Sequence, residues 1–246
     1  MKKIFVLSTF LLCVWSTVVQ GFSTTAKTAF VIDNTTGEVL LAKDINRPIP
    51  PASMSKLMTL WMVFESLDEG KIEMHDTFKV SRKAWKKGES KMFLREGESV
   101  KIKDLIRGVI IQSGNDACIV LAEGLAGTED NFAELMTIRA KEIGLTNSNF
   151  KNSTGWPDPQ HKMSSKDLVI LATKIREEYP YYYKIFNDLE FTWDGIRQKN
   201  RNPLLSMNLG ADGLKTGYTD EAGYGLIASV KQSERRITFI ITGLKS

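Results

Sequence analysis

Strand-forming sequence lies at both ends of this chain, with helix-forming sequence between them. Residues 28–44, "TAFVIDNTTGEVLLAKD", contain two β-rich runs joined by Asp-Asn-Thr-Thr-Gly, a composition typical of a hairpin. Strand-like runs return near the C-terminus in "GADGLKTGYTD", "YGLIASVKQ" and "RRITFIITG". The pattern therefore predicts one α+β domain with an antiparallel sheet built from both chain ends.

The middle of the chain is predicted to be mostly helical. Three segments carry helical patterns, with Ser, Asp or Asn at their starts and Gly or Pro near their ends. They read "KIKDLIRGVIIQSGNDACIVLAEGLAG", "NFAELMTIRAKEIG" and "SSKDLVILATKIREEYP". An earlier stretch, from about Lys56 to Leu67, is apolar on most sides and follows the prolines of "NRPIPPAS". This stretch predicts a buried helix that begins after the prolines.

The N-terminus has the pattern of a secretory signal. It begins with Lys2 and Lys3, continues with an apolar stretch and ends in small residues near Gly21. We therefore predict a signal peptide over 1–21 and a functional domain over 22–246, exported to the periplasm or the outer face of the bacterial cytoplasmic membrane. Cys118 would then be the only cysteine, so the exported chain would have no internal disulfide.

Charge and composition exclude several functions. The formal net charge is +4, and two of the lysines lie in the predicted signal, so the exported domain would be close to neutral. This balance argues against nucleic-acid binding. His75 and His161 are the only imidazoles, and the chain has no HExxH or CxxC motif. We therefore expect no metal site and no cofactor.

The stretch "PPASMSKLMT" places Ser53 and Lys56 three positions apart at the head of the predicted buried helix. Residues i and i+3 share a helix face, so the amine can reach the hydroxyl. A desolvated lysine can lose its proton and act as a base, which would make the serine a nucleophile. The same spacing also fits a serine cap followed by a solvated lysine. A second Ser-x-x-Lys, Ser148–Lys151, lies in loop-forming sequence and fixes no mutual geometry.

Two further motifs follow in the chain. "QSGNDA" contains Ser113–Asn115 at a predicted helix–loop junction, and "GLKTGYT" contains Lys215–Gly217. Ser-x-x-Lys, Ser-x-Asn and Lys-Thr-Gly in this order resemble the three motifs of the penicillin-recognising serine enzymes. Another Ser-x-Asn, at Ser206–Asn208, lies too close to the last motif for that order.

The sequence around the motifs sharpens this resemblance. "MFLREGESV", "NSTGWPDPQHKMSSKDL", "NRNPLLSM" and "GADGLKTGYTDEAGYGLIAS" look like the D-alanyl-D-alanine carboxypeptidases, the low-molecular-mass penicillin-binding proteins. The resemblance runs from about Ala29 to the last residue. It implies a β-lactamase/transpeptidase-like fold. It also implies a serine peptidase that removes the terminal D-alanine from peptidoglycan stem peptides through a Ser53 acyl-enzyme and is acylated by β-lactam antibiotics.

The resemblance also implies a role for each motif residue. Ser53 would be the nucleophile, Lys56 its proton acceptor and Ser113 a proton relay toward the leaving D-alanine. The backbone N–H groups of Ser53 and Tyr218 would form the oxyanion hole.

The remaining motif residues would bind substrate. Asn115 would hold the substrate peptide, and Lys215 would add positive potential. Thr216 and Arg201 would bind the terminal carboxylate, a role suited to a fixed guanidinium. Gly217 would let the strand approach the substrate closely.

Three other functions share some of these features. A DD-endopeptidase that cuts peptidoglycan cross-links has the same motifs in the same order, so it stays open as an alternative. A class A β-lactamase would need a Glu-x-x-Leu-Asn run after the second motif, which this chain lacks. A non-catalytic wall-binding protein would be expected to carry a broken motif, whereas all three are intact.

Cys118 is predicted to be a small core residue and His161 a loop or capping residue.

The resemblance also has an implication for the C-terminal end of the chain. It implies that the catalytic domain continues beyond Ser246 with a helix packed on the sheet, and many members add a β-rich domain and an amphipathic membrane anchor. We therefore expect 22–246 to be a catalytic domain truncated at its C-terminal end, with any membrane association through a segment that this chain lacks.

Overall fold

The central sheet joins the two ends of the chain. The computed structural model describes residues 23–246, so the predicted signal at 1–21 lies outside the described residues. Within them the strands are β1 (Thr28–Asp33), β2 (Val39–Lys43), β3 (Thr77–Lys79), β4 (Ser99–Lys101), β5 (Glu190–Trp193), β6 (Ile196–Lys199), β7 (Ala211–Thr219), β8 (Gly223–Gln232) and β9 (Arg235–Leu244). The main sheet has the order β2-β1-β9-β8-β7 and is antiparallel throughout, which confirms the predicted sheet.

Helices fill the middle of the chain, as predicted. They are α1 (Lys56–Asp68), α2 (Arg82–Lys86), α3 (Ile102–Ile111), α4 (Asn115–Ala126), α5 (Glu129–Glu142), α6 (Ser165–Glu178) and α7 (Pro180–Tyr183). Polar caps begin several of them: the hydroxyls of Thr128 and Ser164 accept backbone N–H groups at the starts of α5 and α6. Such caps satisfy N–H groups that have no partner inside the helix.

Helix α1 forms the centre of the hydrophobic core. Leu60, Trp61 and Phe64 are completely buried, and the Trp61 ring meets the Tyr179 ring edge-on with 4.9 Å between centroids. Burying a large apolar side chain contributes about 1.5–3 kcal/mol, so this helix is strongly anchored. The turn that precedes α1 is therefore held in a fixed place relative to the sheet.

Two small sheets interrupt the helical middle, and the sequence analysis missed both. Strands β3 and β4 pair with each other, as do β5 and β6. Strands of three or four residues are too short to show a clear alternation of apolar and polar side chains. The β5–β6 hairpin did carry a local sequence signal, the dipeptide Asp194-Gly195 at its turn. The φ values of these two residues are 48° and 76°. Positive φ at both positions is the type I′ geometry that Asp-Gly favours.

The described helices are short. The longest, α5 and α6, have 14 residues each, whereas a membrane-spanning helix needs about 20 apolar residues. Within 23–246, no helix therefore has the length and apolarity to cross a bilayer.

Candidate active site

Ser53 lies in a one-turn 3-10 helix, Ala52–Ser55, that leads directly into α1. Lys56 is the first residue of α1, and its Nζ lies 2.9 Å from Ser53 Oγ. The Lys56 side chain is completely buried. The alternative of a cap followed by a solvated lysine is therefore wrong, and the i, i+3 spacing does bring the two groups into contact.

The Lys56 amine has three hydrogen-bond partners. Besides Ser53 Oγ, it donates to Asn115 Oδ1 at 2.8 Å and to the Thr154 carbonyl oxygen at 2.6 Å. An ammonium uses all three protons in this arrangement. A neutral amine can keep the bonds to Asn115 and Thr154 and turn its lone pair toward Ser53 Oγ. The geometry thus suits an amine that accepts the serine proton.

Burial makes the neutral form of Lys56 accessible. It lowers the pKa of this amine to about 8, and nearby positive charges, first that of Arg201, add to the decrease. Cys118 and the Glu89 carboxylate act in the opposite direction, but neither contacts Nζ, and burial outweighs both. Lys215 is similarly affected: burial, followed by repulsion from Lys56 and Arg201, holds its pKa well below the usual range.

Ser113 lies between α3 and α4 in a strained conformation. Its φ is +58°, in the left-handed region, and its side chain is buried. Within residues 23–246, its Oγ has no hydrogen-bond partner. Left-handed backbone costs a non-glycine residue on the order of 1 kcal/mol, and such strain is often found where a side chain must be aimed into a site.

Asp116, which the sequence analysis did not single out, holds the 90–94 loop in place beside the site. Its buried carboxylate accepts the backbone N–H groups of Met92, Phe93 and Leu94 at 2.8, 3.0 and 3.2 Å. These bonds hold the 90–94 loop against the second motif. The position directly after Ser-Gly-Asn was the only sequence signal, and a surface carboxylate would have looked the same.

The third motif lies in the middle of the edge strand β7. Lys215 is buried and donates from Nζ to the carbonyl of Thr216 at 3.1 Å. A Cβ atom at Gly217 would lie 3.1 Å from the Pro51 carbonyl oxygen and 3.2 Å from Ala52 Cβ. Glycine thus allows β7 to pack against the Ser53 turn, a reason distinct from the predicted approach to substrate.

Arg201 contacts the loop that carries Ser90. Its Nη1 donates to Ser90 Oγ at 2.6 Å. Ser90 is in turn placed by its carbonyl, which accepts the Asn115 N–H at 2.8 Å. The guanidinium has no ion pair with any carboxylate in the described part of the chain. Its charge is thus available to an anionic ligand.

A tight turn at 152–156 supplies the Thr154 carbonyl. Asn152 Oδ1 accepts the backbone N–H groups of Thr154, Gly155 and Trp156, the geometry typical of an Asn-initiated turn. Gly155 has a φ of +78°, and a Cβ there would lie 1.9 Å from the Ala52 carbonyl oxygen. The turn therefore touches both Lys56 and the Ser53 turn. "NSTGWP" was recognised only as part of a family resemblance, without a role.

One cleft of about 520 Å³ connects these groups. Seven of the predicted site residues line it: Ser53, Ser113, Asn115, Arg201, Thr216, Gly217 and Tyr218. Lys56 and Lys215 lie beneath its surface. The cleft lining also contains Trp156 and Tyr224, which were not predicted.

The rival matches lie elsewhere. Ser148 Oγ donates to Asp167 Oδ2 at 2.7 Å, and Ser206 Oγ donates to the Pro203 carbonyl at 3.1 Å. His161 accepts the Lys151 N–H, and burial lowers its pKa to about 4. Burial raises the pKa of Cys118 to about 12, so it is a buried thiol in the core, as predicted.

No group of three or more His, Cys, Asp or Glu side chains is placed to hold a metal ion in the part of the chain that the structure describes. The groups around the cleft are hydroxyls, amines, a guanidinium, amides and the Glu89 carboxylate. They suit acyl transfer to a serine.

The fold and the three motifs around one cleft define the class of penicillin-recognising serine enzymes. The profile of one family, described as D-alanyl-D-alanine carboxypeptidase, matches residues 16–246. The chain belongs to this family.

Curated and solved relatives agree with that assignment. D-alanyl-D-alanine carboxypeptidase DacC of Escherichia coli K12 is 40% identical over 235 residues, which cover 93% of this chain and 59% of DacC. Penicillin binding protein 5 from Haemophilus influenzae is 37% identical with a TM-score of 0.89, covering 93% of this chain and 68% of that one. Penicillin-Binding Protein D2 from Listeria monocytogenes, solved in its ampicillin-bound form, is 27% identical with a TM-score of 0.82 and 92% coverage of both chains. The chain thus spans about three fifths of DacC.

Proposed function

We propose that this chain is the catalytic domain of a serine-type D-Ala-D-Ala carboxypeptidase that removes the terminal D-alanine from peptidoglycan stem peptides. The observation that carries the proposal is the buried Lys56 amine, 2.9 Å from Ser53 Oγ and without a carboxylate partner. Family membership supports the substrate class. The ampicillin-bound relative supports acylation by β-lactams as covalent inhibitors.

Acylation begins with proton transfer. The neutral Lys56 amine accepts the Ser53 hydroxyl proton while Oγ attacks the carbonyl carbon of the penultimate D-alanine. The negative charge that develops on the carbonyl oxygen is stabilised by the backbone N–H groups of Ser53 and Tyr218. The C–N bond then breaks as Ser113 Oγ gives its proton to the leaving amine and takes in its place the proton held by Lys56, so D-alanine departs and Lys56 is neutral again.

Hydrolysis of the ester completes the cycle. A water molecule gives a proton to Lys56 and attacks the acyl carbon, and the Ser53 oxygen leaves and recovers a proton. One water is consumed for each D-alanine released. The shortened peptide then dissociates with a new carboxylate at its end.

Positive charge near the cleft recognises the free carboxylate of the substrate. The exposed Arg201 guanidinium and the Thr216 hydroxyl bind it, and the buried Lys215 adds positive potential from beneath. An incoming carboxylate offsets the repulsion among Lys56, Lys215 and Arg201. Asn115 is held by Lys56 and by the Gly88 carbonyl, and it orients the peptide.

Release of D-alanine from a pentapeptide ending in D-Ala-D-Ala tests the proposed function. We expect release from this peptide and little cleavage of a cross-linked peptidoglycan dimer. Preferential cleavage of the dimer would instead identify a DD-endopeptidase. No cleavage of either substrate and no reaction with penicillin would overturn the proposal.

Replacing Arg201 by glutamine should lower kcat/KM selectively for substrates that have a free terminal carboxylate. Hydrogen bonds to charged groups contribute about 1.5–3 kcal/mol, so kcat/KM for these substrates should fall about 10- to 100-fold. The amidated peptide should lose much less. Arg197→Gln is a matched control, because Arg197 pairs with Glu190 away from the cleft. Equal losses on the two peptide forms would contradict the assigned carboxylate site.

The rate of acylation should follow the titration of Lys56. Its pKa is lowered to about 8, so the amine is mostly protonated and without a free lone pair below that pH. The second-order rate constant with penicillin should therefore rise about tenfold per pH unit below pH 8 and level off above it. Stopped-flow or quenched labelling across this range measures it. A rate that is flat between pH 6 and about pH 8 would contradict Lys56 as the base.

We further propose that the enzyme acts outside the cytoplasmic membrane, where peptidoglycan lies. The predicted signal at 1–21 supports this location. Fusion of the full chain to a reporter that is active only after export would test it. An inactive fusion would contradict it.

A further inference from the structure

Ser153, next to the carbonyl that binds Lys56, is clamped at three atoms. Its N–H and its Oγ donate to Glu129 Oε1 at 3.1 and 2.7 Å, and its carbonyl accepts the Thr59 hydroxyl at 2.6 Å. Thr154 follows directly, and its carbonyl accepts from Lys56 Nζ at 2.6 Å. The orientation of that carbonyl thus depends on how Ser153 is held.

Glu129 is itself held firmly in place. It lies in the first turn of α5 and is only 6% exposed. Its Oε2 pairs with Lys83 Nζ at 2.9 Å, so each carboxylate oxygen has its own partners. Burial tends to raise the pKa of Glu129, but the hydrogen bonds from Lys83 and Ser153 outweigh burial and lower the pKa overall. The side chain is therefore an ionised carboxylate near neutral pH.

The link from this carboxylate to the nucleophile is short. Glu129 holds Ser153, Thr154 holds Lys56, and Lys56 contacts Ser53 Oγ. If the Thr154 carbonyl moved, an N–H of the amine would follow it, and the lone pair would turn away from the serine. Proton transfer depends steeply on such alignment.

We propose that Glu129 is a positioning residue for acylation: through Ser153 it directs the Thr154 carbonyl and so keeps the Lys56 lone pair aimed at Ser53. The proposal rests on the proposed function. Glu129 does not line the cleft, so it acts through other residues rather than on the substrate.

Saturation kinetics of acylation by a penicillin, with the full chain, test this role. Glu129→Ala removes both bonds to Ser153, and its limiting acylation rate should fall at least about tenfold with the apparent dissociation constant unchanged. Glu129→Gln keeps an oxygen that can accept both bonds, so its limiting rate should stay within about threefold of the original protein. Asp130→Ala is the matched control. Asp130 Oδ1 lies 3.9 Å from Lys83 Nζ, the lysine that also pairs with Glu129, but Asp130 makes no hydrogen bond to Ser153. The acylation rate of this variant should be unchanged.

A second variant covers the case in which Glu129→Ala does not fold. Ser153→Ala loses the Oγ bond and keeps the N–H bond, so its limiting rate should fall about threefold to tenfold. Limiting rates of Glu129→Ala or Ser153→Ala within about twofold of the original protein would overturn the positioning role. So would a Glu129→Gln protein as slow as Glu129→Ala. If penicillin does not acylate the unaltered protein at all, the proposed function itself fails, a result distinct from both.

Discussion

Ser53→Ala is expected to abolish D-alanine release and to prevent covalent labelling by penicillin. Among the described residues, the Ser53 hydroxyl is the only hydroxyl that is hydrogen-bonded to the Lys56 amine, and a hydroxyl is the group that forms the ester. Loss of the nucleophile in a serine peptidase costs on the order of 10⁶ in kcat, so activity should fall below detection. Because the Ser53 hydroxyl makes no hydrogen bond other than that with Lys56 in the described part of the chain, removing its Oγ should leave the fold intact.

Fluorescent penicillin followed by denaturing gel electrophoresis measures the labelling, and release of D-alanine measures turnover. Ser148→Ala is the control from the other Ser-x-x-Lys match, because Ser148 lies outside the cleft and bonds Asp167. This control should be labelled at close to the original rate once it is folded. A labelled Ser53→Ala protein would show that another residue is the nucleophile.

Lys56→Arg should lower the acylation rate by a factor of about 10²–10⁴, the usual loss on removing a general base. Arginine keeps the positive charge but does not lose its proton in proteins, so it has no lone pair for the serine proton. The measurement is the second-order acylation rate from roughly pH 6 to pH 10, with circular dichroism as the test of folding.

Lys174→Arg is the matched control for this substitution. Lys174 lies on α6, is partly exposed and pairs with Glu178, so the exchange should change neither the rate nor the fold. A folded Lys56→Arg protein within about threefold of the original rate across the pH range would mean that another group activates Ser53. Ser113 would then be the next residue to replace.

The sequence could predict the parts of the site that depend on local spacing. The contact of Ser53 with Lys56 follows from i, i+3 geometry at a helix start, and the burial of Lys56 follows from the apolar character of α1. The sheet built from both termini followed from two clear hairpin patterns. The Ser53–Lys56 contact and the two hairpins depend only on residues that are close together in the chain, whereas the pairing of β1 with β9 that joins the hairpins does not.

The parts that were missed depend on contacts between distant segments. Asn152 and Thr154 looked like ordinary turn residues, and only the packing of their turn on Ala52 and Lys56 gives them a role. Glu129 and Asp116 looked like surface carboxylates, whereas each is buried and accepts at least one backbone N–H from another segment. No local pattern distinguishes a carboxylate that will meet such partners.

The two close approaches of backbone to backbone show the same limit. Gly217 was predicted to be small because of the substrate, and the structure gives the nearby Pro51 carbonyl as a reason. Gly155 was given no role, although a Cβ there would overlap the Ala52 carbonyl. Both glycines let neighbouring segments pack against the turn that carries Ser53, so the position of the nucleophile depends on three segments far apart in sequence.

Peptide mapping by mass spectrometry tests the central claim most directly. The unaltered protein is treated with a penicillin, quenched in acid, digested, and the modified residue is located by fragmentation. The account predicts a single adduct per chain, with the mass of the intact penicillin added to the Ser53 hydroxyl. An adduct on any other residue, or no adduct on a protein that still releases D-alanine from a D-Ala-D-Ala peptide, would contradict a Ser53 acyl-enzyme.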